Sequence, residues 1–298
     1  GAVYRAWDLE REISCAVKLL RVESRMRKAA SLRFVDEARI VAEIFHPHIV
    51  EVFDHGADAD GALFLVMELL EGQDLDAFLK TEKRLSIAQT LEIVGQIGSA
   101  LHSVHQVGVV HRDIKPRNIF LVRSPQSTER FQVKVIDFGL AKYLDASPRD
   151  RGSDGLLIGT PEYLAPEAWS GVSTDVDTRV DQWALAVLTY RLLSGCMPFE
   201  NHLDTLLLGK EIVETAPRKL RELVPSLPVH IERALYRALS KDKRDRFPSI
   251  REFVRALSRL PPRAAAPVGC STVLCSHVQP CETRVIAMTE GPRGSETT

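Results

Sequence analysis

The stretch from His111 to Asn118 constrains this chain most, because it places three reactive groups at fixed offsets between apolar segments. An acid, Asp113, is followed two residues later by an amine, Lys115, and five residues later by the amide of Asn118. A carboxylate can accept a proton, an ammonium can neutralise phosphoryl charge, and an amide oxygen can ligate magnesium. A solvated charged turn would explain a lone Asp-x-Lys, but the complete string favours phosphoryl transfer, which depends on positioning and electrostatics.

Length, charge and cysteine content narrow the class of protein. The 298 residues can bury a sizeable core, as one two-lobed unit or two small domains. Lys and Arg total 39 against 40 Asp and Glu, a balance that argues against nucleic-acid and polybasic membrane partners. The odd count of 5 cysteines favours reduced thiols and a cytoplasmic location. We see no signal peptide, and the longest apolar stretch, 183–193, is too short for a membrane segment.

The first part of the chain is predicted to form a sheet and one helix. Alternation of apolar and polar residues predicts strands at 1–7, 13–20, 49–54 and 62–67. An apolar face predicts a helix over 24–45, with Glu37 beside that face. Lys18 lies inside an apolar strand, either as an edge lysine that reaches solvent or as a ligand for nucleotide phosphates. Glu37 alone would be a surface glutamate, but beside Lys18 and the later motifs we favour an ion pair between them.

The pattern changes after residue 67. Residues 68–72 break the strand pattern and are interpreted as a hinge, so that 1–67 forms one lobe and 73–260 a second. The second lobe is predicted to contain a hairpin at 119–122 and 131–136, and helices at 87–106, 179–193, 203–208, 229–239 and 249–257. Residues 261–298 are rich in Pro, Ala, Ser, Thr and Gly without a period, which predicts a disordered tail.

A second acidic motif follows the hairpin. Asp137 comes directly after an apolar strand and is followed by Phe138 and Gly139. A carboxylate at a strand end, with a glycine that lets the backbone turn, is suited to binding a metal ion. A simple turn is the alternative, but the position of Asp137 one hairpin after Asn118 favours a metal ligand.

Taken together, these motifs resemble those of eukaryotic-like (Hanks-type) serine/threonine protein kinases, of the bacterial kind, over about residues 1–257. The matching motifs are Ala16-Val17-Lys18, Glu37, His111 to Asn118, Asp137-Phe138-Gly139, Gly159 to Glu167, Asp181-Gln182-Trp183 and Arg246. The resemblance implies an α+β fold with two lobes: a small antiparallel β-sheet lobe with one helix, and a larger, mainly α-helical lobe. It also implies transfer of the ATP γ-phosphate to Ser or Thr hydroxyls of proteins in signalling, with Mg²⁺ as cofactor.

The resemblance assigns catalytic roles residue by residue. Lys18, paired with Glu37, would hold the ATP phosphates, and Asn118 and Asp137 would hold Mg²⁺. Asp113 would be the catalytic base, with Lys115 as its phosphate-facing partner. The residues expected to contact ATP are Gly1, Val3, Ala16, Lys18, Met67 as gatekeeper, Glu68, Leu70 and Phe120. The residues expected to hold the site together are His111, Arg112, Asp181 below the catalytic loop, and the ion pair of Glu167 with Arg246.

The acceptor and the activation segment are also implied by the resemblance. Lys115 and Thr160 favour serine or threonine over tyrosine as acceptor. Many family members carry a phosphorylated Thr where this chain has Leu156, so we expect Asp154 or phosphorylated Ser153 to supply an anion for Arg112. Protein substrates bearing Ser or Thr are the expected partners, with autophosphorylation in trans as a further interaction. Small-molecule kinases of related fold usually lack both Arg112 and the Phe after the metal Asp, and are a distant alternative.

One family feature is incomplete. Of the glycine-rich G-x-G-x-x-G-x-V loop, the chain contains the last glycine, Gly1, and Val3. We therefore expect an N-terminally truncated domain with a loosened small lobe and weak ATP binding. A pseudokinase or scaffold that binds partner proteins without phosphoryl transfer is the alternative function, although Lys18, Asp113 and Asp137 are intact.

Overall fold

The small lobe is a four-stranded antiparallel sheet in the order β1-β2-β4-β3. Its strands are β1 (Ala2–Asp8), β2 (Ile13–Leu20), β3 (Val52–Ala57) and β4 (Leu63–Glu68). The computed structural model describes residues 2–20, 38–58, 62–122, 131–138, 160–169 and 177–258. Of the predicted helix over 24–45, residues 38–42 are helical (α1), and residues 21–37 lie outside the described residues.

The register of this sheet places four side chains that are expected to contact ATP on one face. Val3 lies directly opposite Lys18 on β1 and β2, and Ala16 lies opposite Met67 on β2 and β4. Because Ala16 and Lys18 are two residues apart on one strand, and paired residues share a face, all four side chains point to the same side. The strand alternation therefore sets Lys18 beside the apolar residues predicted to contact a nucleotide.

The large lobe combines a small sheet with eight described helices. Its strands, in the order β5-β6-β7, are β5 (Gly72–Asp74), β6 (Ile119–Val122) and β7 (Gln132–Val135). Its helices are α2 (Leu75–Glu82), α3 (Ile87–Gln106), α4 (Pro166–Trp169), α5 (Arg179–Ser194), α6 (Thr205–Glu214), α7 (Leu220–Leu223), α8 (Val229–Ala238) and α9 (Ile250–Ser258). The two-lobed α+β fold expected from the sequence is confirmed.

Helix α5 lies at the centre of the large lobe. It is apolar around most of its circumference, so it is buried on all sides rather than along one stripe. The ring of Trp183 stacks parallel to that of Phe199, with centroids 5.7 Å apart. Helix α3 packs against α9 closely enough that a Cβ added at Gly98 would lie 2.4 Å from Val254 Cγ2. These contacts give the large lobe a continuous core, which extends to Leu257 near the end of α9.

One strand predicted in the first lobe begins later in the structure than the sequence indicated. The strand predicted to begin at residue 49 begins at Val52, because Ile49 forms a parallel bridge with Val135 instead. The backbone N–H of Val50 donates to Val135 O (3.0 Å), and that of Val135 donates to His48 O (2.8 Å). These bonds join the segment before β3 to the strand that precedes Asp137, so the two lobes are linked at the back of the site.

Other elements were absent from the sequence prediction. These are β5, α2, α4 and α7, all of 8 residues or fewer. Helix α6 is longer than predicted and continues to Glu214. The chain divides into Gly1–Arg259 and Leu260–Thr298, and the predicted tail lies outside the described residues. No helix within the described ranges is both long and apolar enough to cross a bilayer.

Candidate active site

A buried carboxylate on α5 fixes the start of the catalytic loop. Asp181 is 0% exposed, and its Oδ2 and Oδ1 accept the backbone N–H groups of His111 (2.9 Å) and Arg112 (2.7 Å). His105 of α3 adds a contact from Nε2 to Asp181 Oδ2 at 2.8 Å. Burial alone would raise the pKa of Asp181, but the hydrogen bond from His105 and the N–H groups of the loop hold its pKa below the ordinary value. The carboxylate therefore stays ionised and holds the loop.

The imidazole of His111 joins the loop to the strand that leads to Asp137. The side chain is fully buried, its Nε2 lies 3.2 Å from Ile136 O, and its Nδ1 lies 3.3 Å from the backbone N of Asp113. This pattern assigns the neutral tautomer with the proton on Nε2, since Nδ1 accepts from a backbone N–H. Complete burial lowers the pKa of His111, which favours the same neutral form.

Three functional side chains meet beyond His111. Lys115 Nζ lies 2.8 Å from Asp113 Oδ2, and Asn118 Nδ2 donates to both the backbone O and Oδ2 of Asp113 at 2.8 Å. A 3₁₀ turn at Pro116–Asn118 brings the amide back toward the acid. Two charge-assisted contacts therefore orient the Asp113 carboxylate, which is 18% exposed and accessible to a substrate hydroxyl.

The small lobe contributes Lys18 to the same site. Its Nζ lies 2.6 Å from Asp137 Oδ1, with the two side chains 18% and 33% exposed. Asp137 has φ of 58°, a left-handed conformation that costs a non-glycine residue free energy and is concentrated at functional sites. The backbone N–H of Ile136 donates to Asn118 O at 2.9 Å, so the strand end that carries Asp137 is tied to the catalytic loop.

Oxygen ligands for a metal ion are available between these elements. Because Asn118 uses its Nδ2 toward Asp113, its Oδ1 is the atom suited to binding a cation. Asp137 offers a carboxylate at the strand end. Carboxylate and amide oxygens are the ligands that Mg²⁺ prefers, so this donor set fits the expected cofactor.

The residues expected to contact ATP are only partly described. Ala16 and Met67 are buried, Leu70 and Phe120 are half-buried, and Val3 is 60% exposed on the edge strand. Gly1, the expected lysine partner Glu37, and the activation-segment residues Ser153 and Asp154 lie outside the described residues. Thr160 is half-buried and accepts the N–H of Tyr163 at 3.2 Å, which begins the turn Pro161–Tyr163.

Glu68 makes side-chain contacts that the sequence did not predict. Its Oε1 accepts Lys134 Nζ at 2.5 Å and the backbone N–H of Glu51 at 2.8 Å, and Lys134 also donates to Ile49 O at 3.2 Å. The position of Lys134 inside the apolar strand β7 could have indicated a buried ion pair. Its partner could not be predicted, because Glu68 is 66 residues away. The contacts join the end of β4 to β7 behind the predicted nucleotide site.

A buried ion pair stabilises the part of the large lobe below Thr160. Arg246 is 1% exposed, and its two terminal nitrogens each lie 2.7 Å from one carboxylate oxygen of Glu167. The guanidinium also donates to the backbone oxygens of Ser240 (2.9 Å) and Arg179 (3.1 Å). The structure therefore brings together the two residues that the sequence paired, with most of the guanidinium donors satisfied.

Comparison with known proteins places these features in a family. The model of the protein kinase domain matches residues 1–256. The chain is 37% identical over 258 residues to Serine/threonine-protein kinase pkn3 of Myxococcus xanthus, covering 85% of this chain and 46% of that protein. It is 35% identical over 272 residues to PknA of Mycobacterium tuberculosis, covering 88% of this chain and 60% of that protein. The chain thus spans about half the length of the curated relatives it matches.

Solved structures agree with this assignment. The kinase domain of Mycobacterium tuberculosis PknI, solved as a double mutant, matches with a TM-score of 0.65 and 31% identity, covering 86% of this chain and 88% of that one. The fold is also similar to that of Rad53 residues 1-466 in complex with AMP-PNP, at a TM-score of 0.69 and 24% identity, covering 86% of this chain and 62% of that one. The chain belongs to the protein kinase domain family, and its bacterial relatives pkn3 and PknA are serine/threonine protein kinases.

Proposed function

We propose that this domain transfers the γ-phosphate of ATP to serine or threonine hydroxyls of protein substrates. The observation that carries the proposal is the arrangement of Lys115 and Asn118 around the Asp113 carboxylate, each at 2.8 Å. A fixed, partly exposed carboxylate next to an ammonium is what a positioned general base for phosphoryl transfer requires. Nothing in the comparisons favours a pseudokinase or scaffold.

Each residue has a separate task in the proposed reaction. Asp113 orients the acceptor hydroxyl and accepts its proton as the new O–P bond forms. The bond from the γ-phosphorus to the β–γ bridging oxygen of ATP breaks in the same transfer, and ADP is the leaving group. Lys115, at 2.8 Å from Asp113, neutralises charge on the transferring phosphoryl group. Lys18 holds the ATP phosphates, with Glu37 proposed as its partner in the active state. Mg²⁺, held by Asn118 and Asp137, would neutralise phosphate charge when bound.

The nucleotide base is proposed to lie against the face shared by Val3, Ala16 and Met67. Backbone groups of Glu68 and Leu70 would contact adenine, Phe120 would cover it from the large lobe, and Gly1 would lie over the phosphates. We also propose that Ser153, once phosphorylated, or Asp154 provides the anion that binds Arg112. The lobe boundaries proposed from the sequence are 1–67 for the small lobe, 68–72 for the hinge and 73–260 for the large lobe. Protein substrates, autophosphorylation in trans and a cytoplasmic location are also proposals, because the chain matches only about half the length of its curated relatives.

The choice of serine or threonine rests on two features. Lys115 and Thr160 are the residues typical of kinases that phosphorylate Ser and Thr, and the bacterial relatives bear serine/threonine names. Phosphoamino-acid analysis of the labelled product tests this choice directly. Phosphotyrosine as the main product would refute it.

The Asp113→Asn variant tests the function itself. The substitution keeps the size of the side chain and removes its basicity, so the rate should fall by about a hundredfold or more, the usual scale for loss of a general base. The measurement is the initial rate of Mg²⁺- and ATP-dependent phosphorylation, with Asp54→Asn on the exposed part of β3 as a matched control. Equal rates for Asp113→Asn and the parent would show that Asp113 is not the base.

A further inference from the structure

Two exposed cations stand beside the catalytic loop and have no role in the phosphoryl transfer described above. Arg117 lies between Lys115 and Asn118, and its side chain is 73% exposed. Its Nε is 3.4 Å from Asp76 Oδ2 in the first turn of α2. Lys80, one helical turn further along α2, is 71% exposed and lies 3.4 Å from the same carboxylate oxygen. Both side chains thus contact Asp76 and extend from it into solvent.

The single negative charge of Asp76 is smaller than the total positive charge of the side chains that contact it. Besides Arg117 and Lys80, it contacts Arg191 of α5 at 3.6 Å, so one negative charge faces three positive ones. Burial would raise the pKa of Asp76, but Lys80, Arg117 and Arg191 hold its pKa below the ordinary value. The group of Asp76, Lys80, Arg117 and Arg191, here called the α2 cation cluster, therefore retains an excess of positive charge.

The α2 cation cluster also reaches the far side of the acceptor site. Nη1 of Arg191 donates to the hydroxyl of Tyr163 at 2.8 Å, and Tyr163 belongs to the turn that follows Thr160. The cluster is therefore attached to the catalytic loop through Arg117 and to the Thr160 turn through Arg191. We therefore expect a peptide whose hydroxyl lies at Asp113 to lie near this cluster.

Four acidic groups of this region are less exposed than the two cations or are already engaged, whereas Glu82 at the end of α2 is exposed. Asp113 is 18% exposed and lies 2.8 Å from Lys115, and Asp76 is 17% exposed. Asp74 accepts the backbone N–H of Ala77 at 2.8 Å as the N-cap of α2. Glu162 is half-buried, and its Oε2 has no hydrogen-bond partner among the described residues. Of the cations in contact with Asp76, Arg117 and Lys80 are the most exposed, at 73% and 71% against 30% for Arg191.

We propose that Arg117 and Lys80 recognise an acidic side chain of the protein substrate, close in sequence to the acceptor Ser or Thr; this inference rests on the proposed function. Arg117 is four residues from Asp113, so their Cα atoms are at most about 14 Å apart, the length of about four extended residues. A guanidinium can bind a carboxylate through two parallel N–H donors, and the ammonium of Lys80 adds a second charge. The acidic residue is thus expected within about four positions of the acceptor.

Three peptides test the proposal, identical except that the residues flanking a single serine are all Glu, all Gln or all Lys. With the parent enzyme, kcat/KM should be about tenfold higher for the Glu peptide than for the Gln peptide, mainly through KM, and lowest for the Lys peptide. Arg117→Glu should abolish this order or reverse it, and Lys80→Glu should weaken it. Lys219→Glu on the large lobe, where the side chain is 77% exposed, makes the same charge change as a matched control and should retain the order.

The outcomes separate this inference from the proposed function. If the parent phosphorylates all three peptides equally, the acidic preference is wrong and the kinase activity stands. If the order persists in both Arg117→Glu and Lys80→Glu, the preference arises elsewhere and the proposed residues are wrong. If no peptide is phosphorylated and the chain does not autophosphorylate, the proposed function and this inference are both overturned.

Discussion

In the large lobe, the catalytic loop is held by buried polar groups, whereas in the small lobe the predicted phosphate ligand lies on a sheet with an exposed outer strand. Asp181 and His111 are fully buried beneath the loop. In β1, by contrast, Val3, Tyr4 and Trp7 are 60%, 54% and 59% exposed. Lys18, paired across from Val3, meets the large lobe through its ion pair with Asp137.

This difference separates two requirements of the reaction. The acceptor hydroxyl needs a base whose position varies little, and a buried hydrogen-bond network provides that. The nucleotide has to enter and leave, which is easier if the residue proposed to hold its phosphates lies in a lobe of lower local stability.

The largest effect is expected from breaking the buried ion pair of the large lobe. Arg246→Met removes the guanidinium that pairs with the buried Glu167 carboxylate, so the free energy of unfolding should fall by about 3–5 kcal/mol. Urea unfolding followed by circular dichroism measures this. Arg244→Met is the control, because its side chain is 82% exposed and a surface change is expected to alter stability by about 0.5 kcal/mol or less. Equal losses in the two variants would contradict the view that the large lobe depends on this buried pair.

The next largest effect is expected on the free energy of unfolding at acidic pH. Burial lowers the pKa of His111, and also of the less buried His46 and His102, from the ordinary value of 6.5. As the pH falls below about 6.5, the unfolded chain therefore binds protons that the folded chain does not, and the free energy of unfolding decreases. The fully buried His111 contributes a slope of up to about 1.4 kcal/mol per pH unit, and above this range its contribution is constant. The slopes from His46 and His102 are smaller, because solvent screens these less buried side chains.

His111→Gln isolates the contribution of the catalytic loop. Unfolding free energies at several pH values between about 5 and 7.5 should show a smaller slope in the variant than in the parent. The slope is the relevant quantity, because removal of the imidazole also lowers stability at every pH. An unchanged slope would mean that His111 binds protons equally in the folded and unfolded chain.

The smallest effect is expected on the outer strand of the small lobe. Tyr4→Thr retains a residue suited to strands, at a position that is 54% exposed, so the free energy of unfolding should change by about 0.5 kcal/mol or less. Thermal or urea unfolding tests this. A loss above about 2 kcal/mol, a size typical of a fully buried side chain, would show that β1 is as tightly packed as the large lobe.

Local patterns were sufficient to predict some elements. Helix α3 begins and ends where its apolar period does, because Ser86 and Gln89 form a capping box and Gly108 follows its end with φ of 78°. The prediction for β3 was wrong at its start because a tertiary bridge from Ile49 to Val135 overrides the local alternation. Helix α2 was missed because it has 8 residues, too few for a clear period.

In the candidate active site, too, contacts between residues far apart in the sequence could not be predicted. The motif predicted the catalytic loop residues, but it could not predict that His105 on α3 contacts Asp181, since the two are 76 residues apart. Nor could it predict the ion pair of Lys18 with Asp137, which are 119 residues apart. Such contacts depend on how the two lobes and the core helices pack, and a single sequence carries no direct signal of that packing. Glu37, the partner expected from the motif, lies outside the described residues.

Hydrogen–deuterium exchange of the parent and Lys18→Met, followed by mass spectrometry without nucleotide, tests the contrast between the lobes most directly. We predict that β2 exchanges faster in the variant, because the ion pair with Asp137 is lost, whereas residues 111–118 and α5 keep the slow exchange of the parent. If the catalytic loop loses its protection along with β2, the buried network of Asp181 and His111 does not hold the loop independently of the small lobe, and the account is contradicted.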